Sequence, residues 1–240
     1  MQKTYLIAGG TSGIGLAIVR RLRETRPAAR IISVSRRDAH PDQAGAANLG
    51  HIPRDLSVGP WDDAARKALP DSIDGLAYCP GSINLKPFHR LNAEDFLTDF
   101  QLNLMGAVHL IQACLPALQK GDAAQVLLFS TVAVQTGFPF HASISAAKGA
   151  VEGLTRALAA ELAPAVAVNA IAPGLTDTPL AERLLKSENQ RKAAVERSPL
   201  KSILSAEAVA DIAVAVLATA SPAMTGQVLA VDGGMSGVRL

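Results

Sequence analysis

The sequence predicts an α/β fold: one doubly wound parallel sheet in three layers, with helices on both faces. Three observations carry that expectation. Short β-rich runs alternate with helix-length apolar patterns along the whole chain. A glycine-rich turn, AGGTSGIG at 8–15, separates the first such run from the first helix. Hydrophobic residues make up 49% but aromatics only 4%, so the core must be built from Ala, Val, Leu and Ile, as in strands covered on both faces.

Taken in order, residues 3–8 (KTYLIA) read as the first strand. Residues 14–25 follow as a helix, with Ile14, Ile18 and Leu22 on one stripe and Ala17 between them. IISVS at 31–35 is a second strand, and 38–50, rich in Gly, Ala and Pro, reads as loop. Residues 60–69 form a short helix, and GLAYC at 75–79 a third strand stopped by Pro80-Gly81. A long helical pattern covers 93–119, and QVLLFS at 125–130 is the next strand. An Ala-rich helix over 142–163 leads to VAVNAI at 166–171, closed by Pro173-Gly174. Residues 179–202 are polar and read as a mobile segment, followed by a helix at 206–219 and a last strand, QVLAVD, at 227–232. No linker or shift in composition divides the chain, so 1–240 is read as a single domain.

The net charge of +2 argues against nucleic acid and against a membrane surface as partners. Cys79 and Cys114 stand far apart and give neither a metal-binding spacing nor a disulfide framework, which predicts no metal and a reducing, cytoplasmic compartment. The beginning, MQKTYLIAGG, has no signal-peptide pattern, and no uninterrupted apolar run is long enough to span a bilayer.

The glycine-rich turn is the first functional signal. Placed after a strand and at the opening of a helix, Gly9, Gly13 and Gly15 let backbone approach a pyrophosphate. The N–H groups of Thr11, Ser12, Gly13 and Ile14 lie where a helix N-terminus attracts anions. The second strand ends in Ser35-Arg36-Arg37, where an NAD site carries an acid for the ribose 2′-hydroxyl. Ser35 repels nothing, and Arg36 or Arg37 can bond a 2′-phosphate, so the expected cofactor is NADP(H).

The spacing Gly9, Gly13, Gly15 resembles the TGxxxGxG fingerprint of the short-chain dehydrogenases/reductases, with Ala8 in place of the Thr. Nearly the whole chain is similar to that family, through Asp55, Gly81, Asn103, Lys148, the run VNAIAPGLTDTPL at 168–180 and the ending TGQVLAVDGG at 225–234. The resemblance implies a Rossmann-type fold. It also implies an adenine contact at Asp55 and Leu56, and a nicotinamide end held by Gly81, Lys148, Pro173, Gly174, Thr176, Thr178 and the backbone near Ile171.

In that family a Tyr four residues before the Lys moves the proton, a Ser steadies the carbonyl oxygen, and an Asn in the long helix holds a water. Lys148 and Asn103 match, and Thr131 falls at the Ser position with Ser130 beside it as the fallback. The Tyr position holds Ile144, which carries no proton, and the usual NNAG reads YCPG at 78–81. Some enoyl reductases of the superfamily place their Tyr seven residues before the Lys, and here that position is His141. Positions four and seven back on a helix share a face, and a histidine titrates near neutrality, so His141 is a candidate acid. The competing expectation is that proton chemistry is lost, leaving acid-free hydride transfer, a non-redox isomerase or dehydratase, or an NADP(H)-binding scaffold. The resemblance further makes 179–202 a substrate lid, whose Leu180, Leu184 and Leu185 suggest an apolar small-molecule substrate. It implies dimers or tetramers packed through the helices near 93–119 and 142–163.

Overall fold

The computed structural model describes residues 2–43, 47–221 and 223–238; positions 44–46 of the expected loop, and 1, 222, 239 and 240 of the expected domain, lie outside them. In chain order the strands are β1 (Thr4–Ala8), β2 (Arg30–Ser35), β3 (Leu49–Pro53), β4 (Gly75–Tyr78), β5 (Ala124–Phe129), β6 (Val166–Pro173), β7 (Thr176–Asp177), β8 (Leu204–Ser205) and β9 (Val228–Val231). Seven of them form one parallel sheet in the order β3-β2-β1-β4-β5-β6-β9, while β7 and β8 pair with each other. The order reverses between β1 and β4, which is where a doubly wound sheet opens a crevice beyond its strand ends.

Every residue of β1 and of β5 is buried, as a strand covered on both faces requires. The period of two then sorts their side chains between two cores. Tyr5 and Ile7 face α1 (Gly13–Thr25) and α8 (Ala206–Leu217), joining Ile18, Leu22, Val209 and Ala213. Leu6 and Ala8 face the other layer, with Leu110, Cys114, Val151 and Ala159. Each such aliphatic side chain contributes roughly 1.5–3 kcal/mol when fully buried.

That second layer consists of α3 (Ala93–Phe100), α4 (Gly106–Leu118) and α6 (Ala142–Leu162). A five-residue π segment, Gln101–Met105, joins α3 to α4, with the Gly106 N–H bonded to the Gln101 carbonyl. The stretch Ala93–Leu118 is long and apolar enough to cross a membrane by composition, a property the broken apolar runs of the sequence hid. Here its apolar side is spent on the sheet, where Leu110, Cys114 and Leu118 are fully buried.

Two expectations are corrected, and a third segment shows structure the sequence left undescribed. The loop over 38–50 ends in an edge strand, β3, which pairs in parallel with β2 from Ile31↔Leu49 to Ser35↔Pro53. Backbone pairing makes that strand; its half-exposed Gly50, His51 and exposed Pro53 give no apolar pattern. The helix over 60–69 shrinks to α2 (Asp63–Arg66), capped by the Asp62 carboxylate on the Ala65 N–H, because Trp61 is drawn into the core. The segment 179–202, read from the sequence as polar and mobile, holds a 3₁₀ turn at Pro179–Leu184 and α7 (Glu188–Arg197). A reciprocal cap between Ser187 and Gln190 starts α7, a signal present in the sequence. The structure also has a short helix, α5 (Ala133–Thr136), between β5 and α6.

Candidate active site

The turn after β1 is shaped by sterics. Gly9 has φ +75° and Gly13 φ +52°, the left-handed region that glycine tolerates. A Cβ on Gly15 would lie 2.3 Å from the Gly9 carbonyl oxygen, so backbone packs on backbone there. Ser12 stands at the N-cap of α1 in extended conformation without a side-chain cap, and the first turn has no acid. The helix therefore presents its first N–H groups and its positive end to whatever enters. Open backbone, free donors and absent side chains fit a dinucleotide pyrophosphate.

Beside this turn, the Thr11 hydroxyl donates to Ser35 Oγ at 3.0 Å, and Ser35 donates to the Arg37 carbonyl at 2.9 Å. Both hydroxyls are buried, which ties the end of β2 to the glycine turn and leaves Arg36 and Arg37 exposed at the rim. Arg36 lies 3.7 Å from Asp55. The Asp55 carboxylate accepts from the Ser57 hydroxyl at 2.6 Å and its N–H at 2.8 Å, and the hydroxyl bond above all holds it below the usual carboxylate range. Leu56 turns its side chain into the core. Thr178 packs over Gly13, its Cβ 3.5 Å from where a Gly13 Cβ would stand, so the loop after β6 closes the cradle from the other side.

Next to the cradle lies a cavity of about 570 Å³. It is lined by Ile14, Gly81, Pro173, Gly174, Thr176 and Thr178 toward the cradle, and by Thr131, His141, Ile144 and Lys148 on the inner side. Of the four residues picked as catalytic, Lys148, Thr131 and His141 line it, and the buried Asn103 stands just behind Gly81. Lys148 Nζ donates to the Phe129 carbonyl at 2.7 Å, and burial lowers its pKa to about 8 against the pull of Cys79 and Asp99. A Cβ on Gly81 would meet Asn103 Oδ1 at 3.3 Å and Lys148 Nζ at 3.6 Å. Glycine there leaves an open floor between an ammonium and a carbonyl oxygen that has no partner among the described residues.

Asn103 sits in the π segment, a widening often found at functional sites. Its Nδ2 donates to the Asp99 carbonyl one turn back and to Ser82 Oγ, both at 2.8 Å. Ser82 in turn donates to Asp99 Oδ1 at 2.6 Å. Asp99 is 1% exposed, and its second oxygen has no partner among the described residues. Neither Ser82 nor Asp99 is among the site residues expected from the sequence. The available signal was an acid, Asp99, one turn before Asn103 on the same helix stripe.

Thr131 Oγ1 accepts only a long bond from the Ala133 N–H, at 3.3 Å. Ser130, the fallback, is committed: its hydroxyl donates to the buried Glu152 at 2.8 Å. His141 is the N-cap of α6, and its Nδ1 lies 2.7 Å from the Pro139 carbonyl oxygen. A carbonyl only accepts, so Nδ1 carries the proton and Nε2 is left for the cavity. Its ring meets Phe138 edge to face, with centroids 5.5 Å apart. Ile144 and His141 thus share one cleft, as their helical spacing predicts. Among the described residues no tyrosine lines the cavity; Tyr5 is buried in the core, and the Tyr78 hydroxyl donates to the Leu102 carbonyl at 2.6 Å. Burial pushes the Cys79 thiol up to about 12, which makes it a wall rather than a nucleophile.

A family model described as enoyl-(acyl carrier protein) reductase matches residues 8–236. The chain belongs to the short-chain dehydrogenase/reductase family. A tropinone reductase homologue from Arabidopsis thaliana is 30% identical, the match covering 98% of this chain and 91% of that protein. L-xylulose reductase from Bos taurus is 29% identical over 95% of this chain and 94% of its own. Among solved structures, an actinorhodin polyketide ketoreductase variant with NADPH superposes with a TM-score of 0.89 at 25% identity, covering 99% of this chain and 98% of that one. The relatives are reductases by name, and the family works with nicotinamide cofactors.

Proposed function

We propose that the chain is an NADP(H)-dependent reductase of a C=O, C=N or C=C group in a small apolar substrate, working without the tyrosine usual in the family. The observation that carries the reading is the floor of the cavity, where Lys148, Gly81 and Asn103 converge beside the open glycine cradle. The chemistry a bound nicotinamide supplies is hydride transfer to the acceptor atom. Gly9, Gly13, Gly15 and the N-terminus of α1 would hold the pyrophosphate, and Arg36 or Arg37 the 2′-phosphate. Asp55 and the Leu56 backbone would flank the adenine. Lys148 would donate to the nicotinamide ribose, with Pro173, Gly174, Thr176 and Thr178 around the ring.

Thr131 would donate its hydroxyl to the acceptor and draw electron density from the reacting carbon. His141, in the form protonated on both nitrogens, would give its Nε2 proton to the product; the neutral ring that remains keeps its Nδ1–H on the Pro139 carbonyl. The Ser82–Asp99 pair would fix Asn103 and so keep the floor open. Assembly into a dimer or tetramer through the helices near 93–119 and 142–163 belongs to the same reading.

Calorimetric titration tests the cofactor. NADPH should bind at least about tenfold more tightly than NADH, and a double Arg36→Ala, Arg37→Ala variant should erase the difference, as expected for charged hydrogen bonds to a phosphate. Equal affinities in the unaltered protein would remove the 2′-phosphate assignment. Turnover across ketones, enones and imines tests the chemistry. His141→Ala should lower kcat about 100-fold with NADPH affinity unchanged, and an undiminished kcat would take His141 out of the mechanism. Ile144 at the tyrosine's place favours the second reading, a nucleotide-binding protein without turnover; NADPH binding with every acceptor inert would establish it.

A further inference from the structure

The cavity has an unequal distribution of charge. Besides His141, its charged lining groups are Lys148 and Arg197, and no Asp or Glu lines it among the described residues. Lys148 is spoken for at the floor, where its ammonium bonds the Phe129 carbonyl. Arg197 comes from the opposite wall. On α7 the residues that line the cavity are Gln190, Ala193, Ala194 and Arg197, a spacing that marks one face of a helix. The other charged residues of this segment that form ion pairs find them elsewhere: Arg191 with Asp177 at 2.9 Å and Lys201 with Glu196 at 3.2 Å. Arg197 has no carboxylate within 4.0 Å among the described residues; its Nε donates to the Ala193 carbonyl, 3.1 Å away on its own helix. Its two terminal nitrogens, a planar fork suited to a carboxylate, are left over.

The walls between the two cations are apolar, with Ile83, Leu85, Phe138 and Leu184 among them. At the mouth, Phe140 and Leu180 line the cavity yet are 56% and 52% exposed. Phe140 also holds φ +71°, which a bulky side chain rarely adopts and which the surrounding structure has to enforce. The chain over 179–202 carries six Lys or Arg (183, 186, 191, 192, 197, 201) against three Glu (182, 188, 196), a field that draws anions to the same mouth.

We infer that the cavity takes an apolar acid, an oxo-carboxylate whose reducible group lies at the Lys148 floor and whose carboxylate is held by Arg197. The inference rests on the reductase reading for the reducible group, but the carboxylate subsite stands on α7 alone. An uncharged substrate would leave the exposed Arg197 fork at the cavity wall without an anionic partner. A shorter or more polar acid would leave the aliphatic walls and the exposed Phe140 wet.

The test uses the full chain and octanoate, with methyl octanoate as its uncharged twin, titrated with and without NADPH. Octanoate should bind at least about tenfold more tightly than the ester, the range of one charged hydrogen-bonded pair at a partly open site. Arg197→Gln should bring the two to equal affinity while NADPH binding is unchanged, which also reports that the variant is folded. Lys192→Gln, removing a neighbouring exposed charge on the same helix, should leave the preference in place. Equal binding of acid and ester by the unaltered protein, or a preference that survives Arg197→Gln or disappears with Lys192→Gln, overturns the inference. Loss of NADPH binding with the octanoate preference intact would strike the cofactor reading and leave the acid subsite standing.

Discussion

Lys148→Met is expected to reduce turnover about 10³-fold and to abolish the response of cofactor affinity to alkaline pH. The side chain is 7% exposed, and among the described residues its ammonium has one hydrogen-bond partner, the Phe129 carbonyl at 2.7 Å. Burial lowers the pKa from 10.5 to about 8, because the charged form loses water that one carbonyl does not replace. The direction follows from the charge. Below about pH 8 the group is an ammonium and can donate to ribose hydroxyls; above it the group becomes a neutral amine with weaker donors. NADPH affinity measured by calorimetry should therefore be flat up to about pH 8 and then fall, by at most about tenfold per pH unit. In Lys148→Met it should be weak and flat across that range. The loss of turnover is the scale seen when one positioned charged donor at a reacting centre is removed. A variant that kept the alkaline fall would assign it to some other group and sink Lys148 as its origin.

Why Lys148 was legible and Asp99 was not is instructive about what a sequence carries. Lys148, Asn103 and the three turn glycines are marked by residue type at fixed spacing within local elements, so order along the chain suffices to place them. The doubly wound parallel class follows from the alternation of strands and helices, and β1, β4, β5 and β6 declare themselves because strands buried on both faces read as nearly continuous apolar runs. β3 does not, since an edge strand can be made by pairing alone: Ser33 and Ile32 of β2 supply its partners, and Gly50 and His51 need no apolar face. Contacts between distant segments were likewise invisible. Ser82 and Asp99 are 17 residues apart, and only the packing of α3 on the loop after β4 turns them into a hydrogen-bonded pair. The same holds for Ser130 and Glu152, 22 apart, whose bond commits the Ser130 hydroxyl. The inward face of α7 escaped for a different reason. A segment with six basic residues reads as solvated, and only the cavity beneath it shows that Gln190, Ala193, Ala194 and Arg197 share a side.

Gly15→Ala should abolish measurable nucleotide binding, lowering NADPH affinity more than about 100-fold, because the added carbon has nowhere to go. The new Cβ would stand 2.3 Å from the Gly9 carbonyl oxygen, 2.8 Å from the Gly9 carbonyl carbon and 3.2 Å from the Gly10 nitrogen. All three are backbone atoms, so no rotamer change relieves the overlap, and the turn itself must move. That turn is held in place from behind by the Gly9 N–H on the Val34 carbonyl at 2.8 Å and from the front by α1. Displacing it costs about 1–3 kcal/mol, as overpacking does in a close-packed interior, and for a domain of this size each kcal/mol lowers Tm by about 2–4 °C. Gly13→Ala makes the graded comparison. Its Cβ would sit an ordinary 3.5 Å from Thr178, and what it pays is the left-handed φ of +52°, about 1–2 kcal/mol. The cradle then keeps its shape, and NADPH should still bind, about tenfold more weakly. Calorimetry together with the melting temperature of the nucleotide-free protein separates the cases. Nucleotide binding that Gly15→Ala leaves intact would mean the pyrophosphate lies elsewhere than between Gly9, Gly13 and Gly15.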